Sequence, residues 1–183
     1  MEDQFSKEEK KWLLKIARSS IESYLKYRKI PKFEVSDKFK EKRAVFVTLK
    51  KNNELRGCIG HLEPRYQLAE AVAKMAIAAA FEDNRFLPVS LEELPEIKIE
   101  ISILSPLKRI SDPNQIKLGE HGVIIKQGFY GGTFLPEVAE EFNYDLEKFL
   151  STLCVYKAGL PPDAWRDPKT EIYIFTTQKI SEE

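Results

Sequence analysis

Cysteine, histidine, methionine and tryptophan each occur only twice among the 183 residues. Cys58 and Cys154 form no C-x-x-C pair, which argues against a disulfide scaffold and a structural zinc site and leaves both as reduced thiols. No apolar run approaches the roughly 20 residues of a membrane span. Met1 to Gln4 lacks the basic-then-apolar opening of a secretory signal, so the cytoplasm is the expected compartment. The chain also lacks G-x-x-x-x-G-K-[ST], a G-x-G-x-x-G after a strand, H-E-x-x-H and G-x-S-x-G, so none of the chemistries those spacings serve is indicated. Net charge is zero, but residues 1–60 hold 16 Lys+Arg against 9 Asp+Glu and residues 61–183 hold 13 against 20. A basic N-terminal third could bind phosphates or RNA, although helical spacing of its lysines favours a solvated helix face.

What is present is an ordinary globular composition, 43% hydrophobic and 32% charged, long enough for one well-formed core. Ser6-Lys7-Glu8-Glu9 fits a capping box and Leu13, Ile16, Ser20 and Tyr24 follow helical spacing, predicting a helix from Ser6 to Tyr27, with Pro31 as its stop. A second helix, Gln67 to about Asp83, carries seven alanines suited to close packing on a sheet. Arg43 to Leu49, the turn signal Asn52-Asn53 and Leu55 to Gly60 read as a hairpin, and Ile97 to Ile103 as a half-buried strand. Gly119 to Leu135 predicts one or two further hairpins. Pro136 opens a helix over Glu137 to Phe142, Asp145 caps another to Ala158, and Glu171 to Gln178 is a last strand. Helices mixed with hairpin-linked strands argue for α+β, a mostly antiparallel sheet flanked by helices.

The stretch Leu55-Arg56-Gly57-Cys58-Ile59-Gly60 is the most informative in the chain. Strand alternation puts Leu55 and Ile59 on one face, where they claim the core, and Arg56 and Cys58 on the other. A guanidinium one strand-step from a thiol favours the thiolate, the nucleophilic form, and Gly57 and Gly60 would let a ligand approach the main chain. A cysteine that merely fills the core is the competing reading, and the residues alone leave the two about even. His121, in a glycine-bounded loop, could serve as a general base or as a partner for Cys58, or be a plain turn residue. His61 follows Cys58 at a metal-like spacing, but no second close pair of ligands accompanies it, so no metal is expected. Arg85, at the end of the alanine-rich helix, could complement the helix terminus or project an anion-binding guanidinium. Glu137 is accounted for by the first turn of its helix. Gly128-Phe129-Tyr130-Gly131-Gly132 has the wrong spacing for a phosphate cradle and reads as a turn.

Together with the opening motif, Ala80-Phe81-Glu82-Asp83-Asn84-Arg85-Phe86-Leu87-Pro88, His121-Gly122, Leu135-Pro136-Glu137-Val138-Ala139 and Lys157-Ala158-Gly159-Leu160-Pro161-Pro162-Asp163-Ala164-Trp165 resemble the AMMECR domain, a family named after a human Alport-syndrome chromosomal region. The resemblance covers nearly the whole chain. It implies a single intracellular α+β domain over residues 1–183, an antiparallel sheet flanked by helices with a smaller subdomain, here as a stand-alone prokaryotic or archaeal member. It also implies a cleft lined by Arg56, Gly57, Cys58, Gly60, Arg85, Phe86, Pro88, His121 and Glu137, association with Memo-type and radical-SAM proteins, and a suggested role around RNA modification or translation. It names no cofactor. Leu87 stands where a proline or small residue is more usual. The combined expectation is an enzyme in which Cys58 is a nucleophile or redox thiol, Arg56 and Arg85 hold an anionic substrate with Gly57, Gly60 and Phe86 beside it, and His121 or Glu137 moves a proton. The alternative is a non-catalytic module that binds a protein partner or RNA.

Overall fold

The computed structural model describes residues 5–183; the signal-peptide reading of Met1 to Gln4 falls outside them. The chain folds into two compact units, one built from the described part of Met1–Leu104 with Gln178–Glu183, the other from Ser105–Thr177. In chain order the elements are α1 (Lys7–Tyr27), β1 (Val45–Lys51), β2 (Glu54–His61), α2 (Leu68–Phe81), β3 (Ile97–Leu104), β4 (Lys108–Ile110), β5 (Gly122–Gln127), β6 (Tyr130–Phe134), α3 (Glu137–Glu141), α4 (Leu146–Leu153), β7 (Glu171–Phe175) and β8 (Thr177–Ser181). Two four-stranded sheets, ordered β2-β1-β3-β8 and β4-β7-β5-β6, make this an α+β fold.

In the first unit α1 begins with the capping box the sequence announces: Ser6 accepts from the Glu9 N–H and the Glu9 carboxylate accepts from the Ser6 N–H. Its apolar stripe of Leu13, Ile16, Ala17 and Ile21 is buried. Helix α2 is buried on almost every side, from Leu68 to Ala80, as its lack of a polar face requires. Both helices share one core with Val45, Val47, Leu49, Ile99 and Ile101 of the sheet. Strand β3 departs from the half-buried reading. Alternation holds from Ile97 to Glu100, but Ile101 through Leu104 are buried on both faces. The last predicted strand is two strands, β7 in the second sheet and β8 in the first. The change falls at Thr176, a residue that suits a strand and so gives no sign of a break.

The C-terminal tail is fixed by an ion pair. Arg18 donates to both oxygens of Glu182 and to the carbonyls of Leu94 and Ile97, while Glu182 also accepts from the Ile99 N–H. Because the pair is partly buried and its members hold three backbone groups, at Leu94, Ile97 and Ile99, Arg18→Ala is expected to cost about 1.5 to 3 kcal/mol. Urea unfolding of the variant against wild type checks this; an unchanged midpoint would show the tail to be held by other contacts.

The second unit has its own core of Ile110, Val123, Ile125, Phe149, Leu150, Leu153, Cys154, Ile172 and Ile174. Asp145 caps α4 by accepting from the Lys148 N–H. The helix does not run on to Ala158 in regular form: Cys154–Ala158 is a π-helical turn that ends at Gly159 in the left-handed region, φ 67°. Pro136 stands at the N-cap of α3, one place before the helical position expected of it. Gly119 to Leu135 holds one hairpin, β5 with β6.

Candidate functional site

The β1–β2 hairpin turns on Asn52 and Asn53, both at positive φ (54° and 64°), the conformation a two-residue hairpin loop demands and asparagine tolerates. Its register then shifts. Leu49 pairs with Gly57 but Lys50 pairs with Leu55, so Arg56 is the extra residue of a β-bulge. This corrects the simple alternation. Beyond the bulge Leu55 changes face, leaves Ile59 and lies 44% exposed. Cys58 keeps the outward orientation alternation predicts: it pairs with Thr48, between the core-facing pairs Leu49–Gly57 and Val47–Ile59, and the Thr48 hydroxyl donates to its Sγ at 3.1 Å.

Strand β2 is an edge of its sheet. At Cys58 that edge is closed by two side chains from the turn after α2. The Cys58 N–H donates to Asp83 Oδ2 at 2.8 Å, and Arg85 Nη2 donates to the Cys58 carbonyl at 3.3 Å. Asp83 in turn accepts from the Arg85 N–H, Nε and Nη2, at 3.2, 2.9 and 2.7 Å. A buried carboxylate and a guanidinium thus take the place of a neighbouring strand. The Arg85 hydrogen bonds, with those from the Cys58 and Arg85 N–H groups, hold the Asp83 carboxyl well below the usual carboxylate range against the opposing effect of burial. The Arg85 guanidinium is held more firmly protonated, chiefly by Asp83 and in smaller part by Cys58. Its side chain remains 54% exposed.

Arg56 has a different occupation from the one expected. Its Nε and Nη2 meet Glu93 Oε1 and Oε2 at 2.7 and 3.0 Å, and Nη2 also reaches the Leu87 carbonyl at 2.9 Å. This bidentate bond lowers the Glu93 pKa against the cost of burial. Arg56 therefore braces the loop after α2 and does not present an open fork to an anion. Both guanidinium groups lie near the Phe86 ring, with their carbons 5.9 Å (Arg56) and 5.5 Å (Arg85) from its centre.

The two glycines are also accounted for inside the protein. A Cβ on Gly57 would fall on the Ala79 carbonyl oxygen of α2, and one on Gly60 on the ring of its cross-strand partner Phe46. The close approach expected of a ligand at these positions is made by a helix backbone and an aromatic ring.

His121 and Glu137 belong to the second unit. His121 Nδ1 accepts from the Lys117 N–H at 3.2 Å, and its own N–H donates to the Lys117 carbonyl at 2.9 Å, which closes the turn before β5. Glu137 sits in the first turn of α3. In the first unit, His61 Nδ1 faces the Glu63 carbonyl at 2.6 Å, and its ring meets Tyr66 edge-on. Among the described residues no three His, Cys, Asp or Glu side chains are grouped to hold a metal ion. Among the same residues no helix is long and apolar enough to cross a membrane. Cys154 is fully buried, and burial pushes its thiol up.

Of the residues the sequence singles out, the structure brings Cys58, Arg85 and Phe86 together; Asp83 and Glu93, the carboxylates that orient the arginines, are not among them. A visible signal for Asp83 was a carboxylate two residues before an arginine, at the end of an otherwise apolar helix. What the corner offers chemically is a half-buried thiol with its backbone clamped on both sides, next to a guanidinium that is anchored on one edge and open on the other.

A family model described as AMMECR1 matches residues 14–180. Protein TK0174 of Thermococcus kodakarensis is 42% identical over 184 residues, covering 94% of this chain and 89% of that protein. A protein of Methanothermobacter thermautotrophicus is 42% identical over 186 residues, covering 97% and 96% respectively. Among solved structures, the crystal structure of the uncharacterized protein PH0010 from Pyrococcus horikoshii is similar, with TM-score 0.84 at 43% identity and coverage of 94% of this chain and 90% of that one.

Proposed function

This chain belongs to the AMMECR1 family, and from that premise we propose that its Cys58 corner is a thiol-dependent site for an anionic substrate. Arg85 seats the anionic group and Cys58 is the reacting thiol. The observation that carries this reading is the double clamp on Cys58. With its N–H on Asp83 and its carbonyl on Arg85, the Cys58 backbone is fixed, its Sγ accepts from the Thr48 hydroxyl, and the guanidinium bound to its carbonyl is more than half open to water. Arg56, Glu93 and Phe86 position Arg85 and the loop that bears it. No proton transfer is assigned to His121 or Glu137.

Paired alkylation by iodoacetate, an anion, and by neutral iodoacetamide tests this. Arg85 is expected to raise the iodoacetate-to-iodoacetamide rate ratio at Cys58. Arg85→Gln lowers that ratio about five- to tenfold, the size of a unit-charge interaction near a protein surface, and Arg85→Lys retains most of it. Cys154, being buried, reacts only on unfolding. A ratio that Arg85→Gln leaves unchanged would remove the anion seat. Ligand binding and cellular function that survive Cys58→Ser would convert the site into a non-catalytic binding module.

A further inference from the structure

The second unit carries its own cavity of about 650 Å3, lined entirely by residues of that unit. Its volume lies in the range of small-molecule sites. Ile110 and Ile172, buried cross-strand partners in β4 and β7, give it an apolar wall beside the half-buried indole of Trp165. The indole N–H donates to Ser151 Oγ at 3.4 Å. Two arginines line the same space: Arg166, whose guanidinium carbon is 4.1 Å from the Trp165 ring centre, and Arg109 on the short edge strand β4.

Each arginine has a glutamate partner that is not part of the lining, Glu171 at 3.3 Å from Arg109 and Glu147 at 3.1 Å from Arg166. The two arginine side chains are 62% and 50% exposed, so these pairs are solvent-screened and readily exchanged for a stronger anion. Asp167, the one carboxylate in the lining, has its oxygens engaged by the Lys169 N–H at 2.8 Å and the Gln127 amide at 3.2 Å. Neither Glu147, Glu171 nor Asp167 faces the cavity without a donor partner.

We propose that this cavity binds a small phosphate ester with a flat ring body. The guanidinium forks of Arg109 and Arg166 match a phosphate dianion, which exceeds a single glutamate in charge and in acceptor oxygens. The ring lies against Ile110, Ile172 and Trp165, where apolar area is removed from water.

The test is a two-dimensional amide NMR titration of the full chain with phenyl phosphate, adenosine monophosphate and inorganic phosphate, repeated on the Cys58→Ser chain. Shifts are expected at residues 109–113 and 165–172, with at least one ester bound ten times or more tighter than inorganic phosphate. Arg109→Gln and Arg166→Gln each weaken that binding at least tenfold, and Arg109→Lys keeps part of it. Both side chains are half exposed or more, and the variants' own spectra verify the fold. Tighter binding of the nucleotide identifies a nucleotide source, tighter binding of phenyl phosphate a simple aryl ester, and either carries the proposal. It is overturned if the esters bind no tighter than inorganic phosphate, if the shifts fall elsewhere, or if the glutamine variants bind as wild type does. Cys58→Ser leaves the affinity unchanged, which separates this site from the one at Cys58.

Discussion

Gly57→Ala is expected to destabilise the first unit by about 2 to 3 kcal/mol, the upper part of the range for forcing extra atoms into a packed interior. The new methyl would fall on the Ala79 carbonyl oxygen, and a helix backbone cannot rotate aside as a flexible side chain can. Relief requires α2 to lift from β2, which would loosen the alanine-lined contact from Ala76 to Ala80 and carry Asp83 away from Cys58. The readout is thermal unfolding, with a Tm several degrees below wild type, in the same variant in which the Cys58 alkylation rate changes. A Gly57→Ala protein with wild-type Tm would mean that the helix has room the structure does not give it. Gly60→Ala meets a mixed obstacle, the Phe46 ring, which has other rotamers, and the Val45 carbonyl oxygen at 2.6 Å, which as backbone does not.

The second large effect is acid sensitivity through Asp83. Its carboxyl is held well below the ordinary value by Arg85, so it stays ionised in the folded protein where the unfolded chain would already bind a proton. A depressed carboxylate pKa contributes stability that is complete above the unfolded value, near 3.9, and declines as the pH falls from there toward the folded value. Glu93, lowered by Arg56, acts in the same direction. Between about pH 4 and pH 2 the stability of wild type should fall with a slope to which Asp83 contributes up to roughly 1.4 kcal/mol per pH unit. Asp83→Asn should lose about 2 to 3 kcal/mol at neutral pH, the scale of hydrogen bonds to a charged group, and should show a shallower decline in acid. Urea titrations at several pH values measure both. Parallel profiles for variant and wild type would show that the carboxylate is not what the acid attacks.

The loss at Asp83 bears on the functional reading as well. Two of the four hydrogen bonds that lower its pKa, those from Arg85 Nε and Nη2, also orient the guanidinium proposed to receive an anion. Asp83→Asn removes the anchor and the opposing negative charge together, so the iodoacetate-to-iodoacetamide ratio at Cys58 is expected to change in a variant that remains folded.

Local rules carried far along this chain. The capping box at Ser6, the asparagine turn at Asn52-Asn53, the Asp145 cap and the left-handed Gly159 stop can each be read from a few adjacent residues, because each is satisfied by hydrogen bonds or φ preferences within one turn of chain. Reading failed where a long-range partner decides. The bulge at Arg56 depends on how β1 pairs with β2, and nothing in Leu55-Arg56-Gly57 announces the extra residue. The division of the last strand between two sheets is equally unannounced, because Thr176 and Thr177 suit a continuous strand as well as a break.

By itself the sequence determined the α+β class, the order of helices and hairpins and the place of the Cys58 motif, since periodicity, capping and turn chemistry are properties of neighbouring residues. Only the tertiary structure decided what each motif side chain does. It gave Arg56 to Glu93, filled the spaces beside Gly57 and Gly60 with Ala79 and Phe46, and set Asp83 and Arg85 against the free edge of β2. A buried charge or an open strand edge must find its partner wherever the fold brings one, and the residues that meet this need at Cys58 lie 25 and 27 positions along the chain.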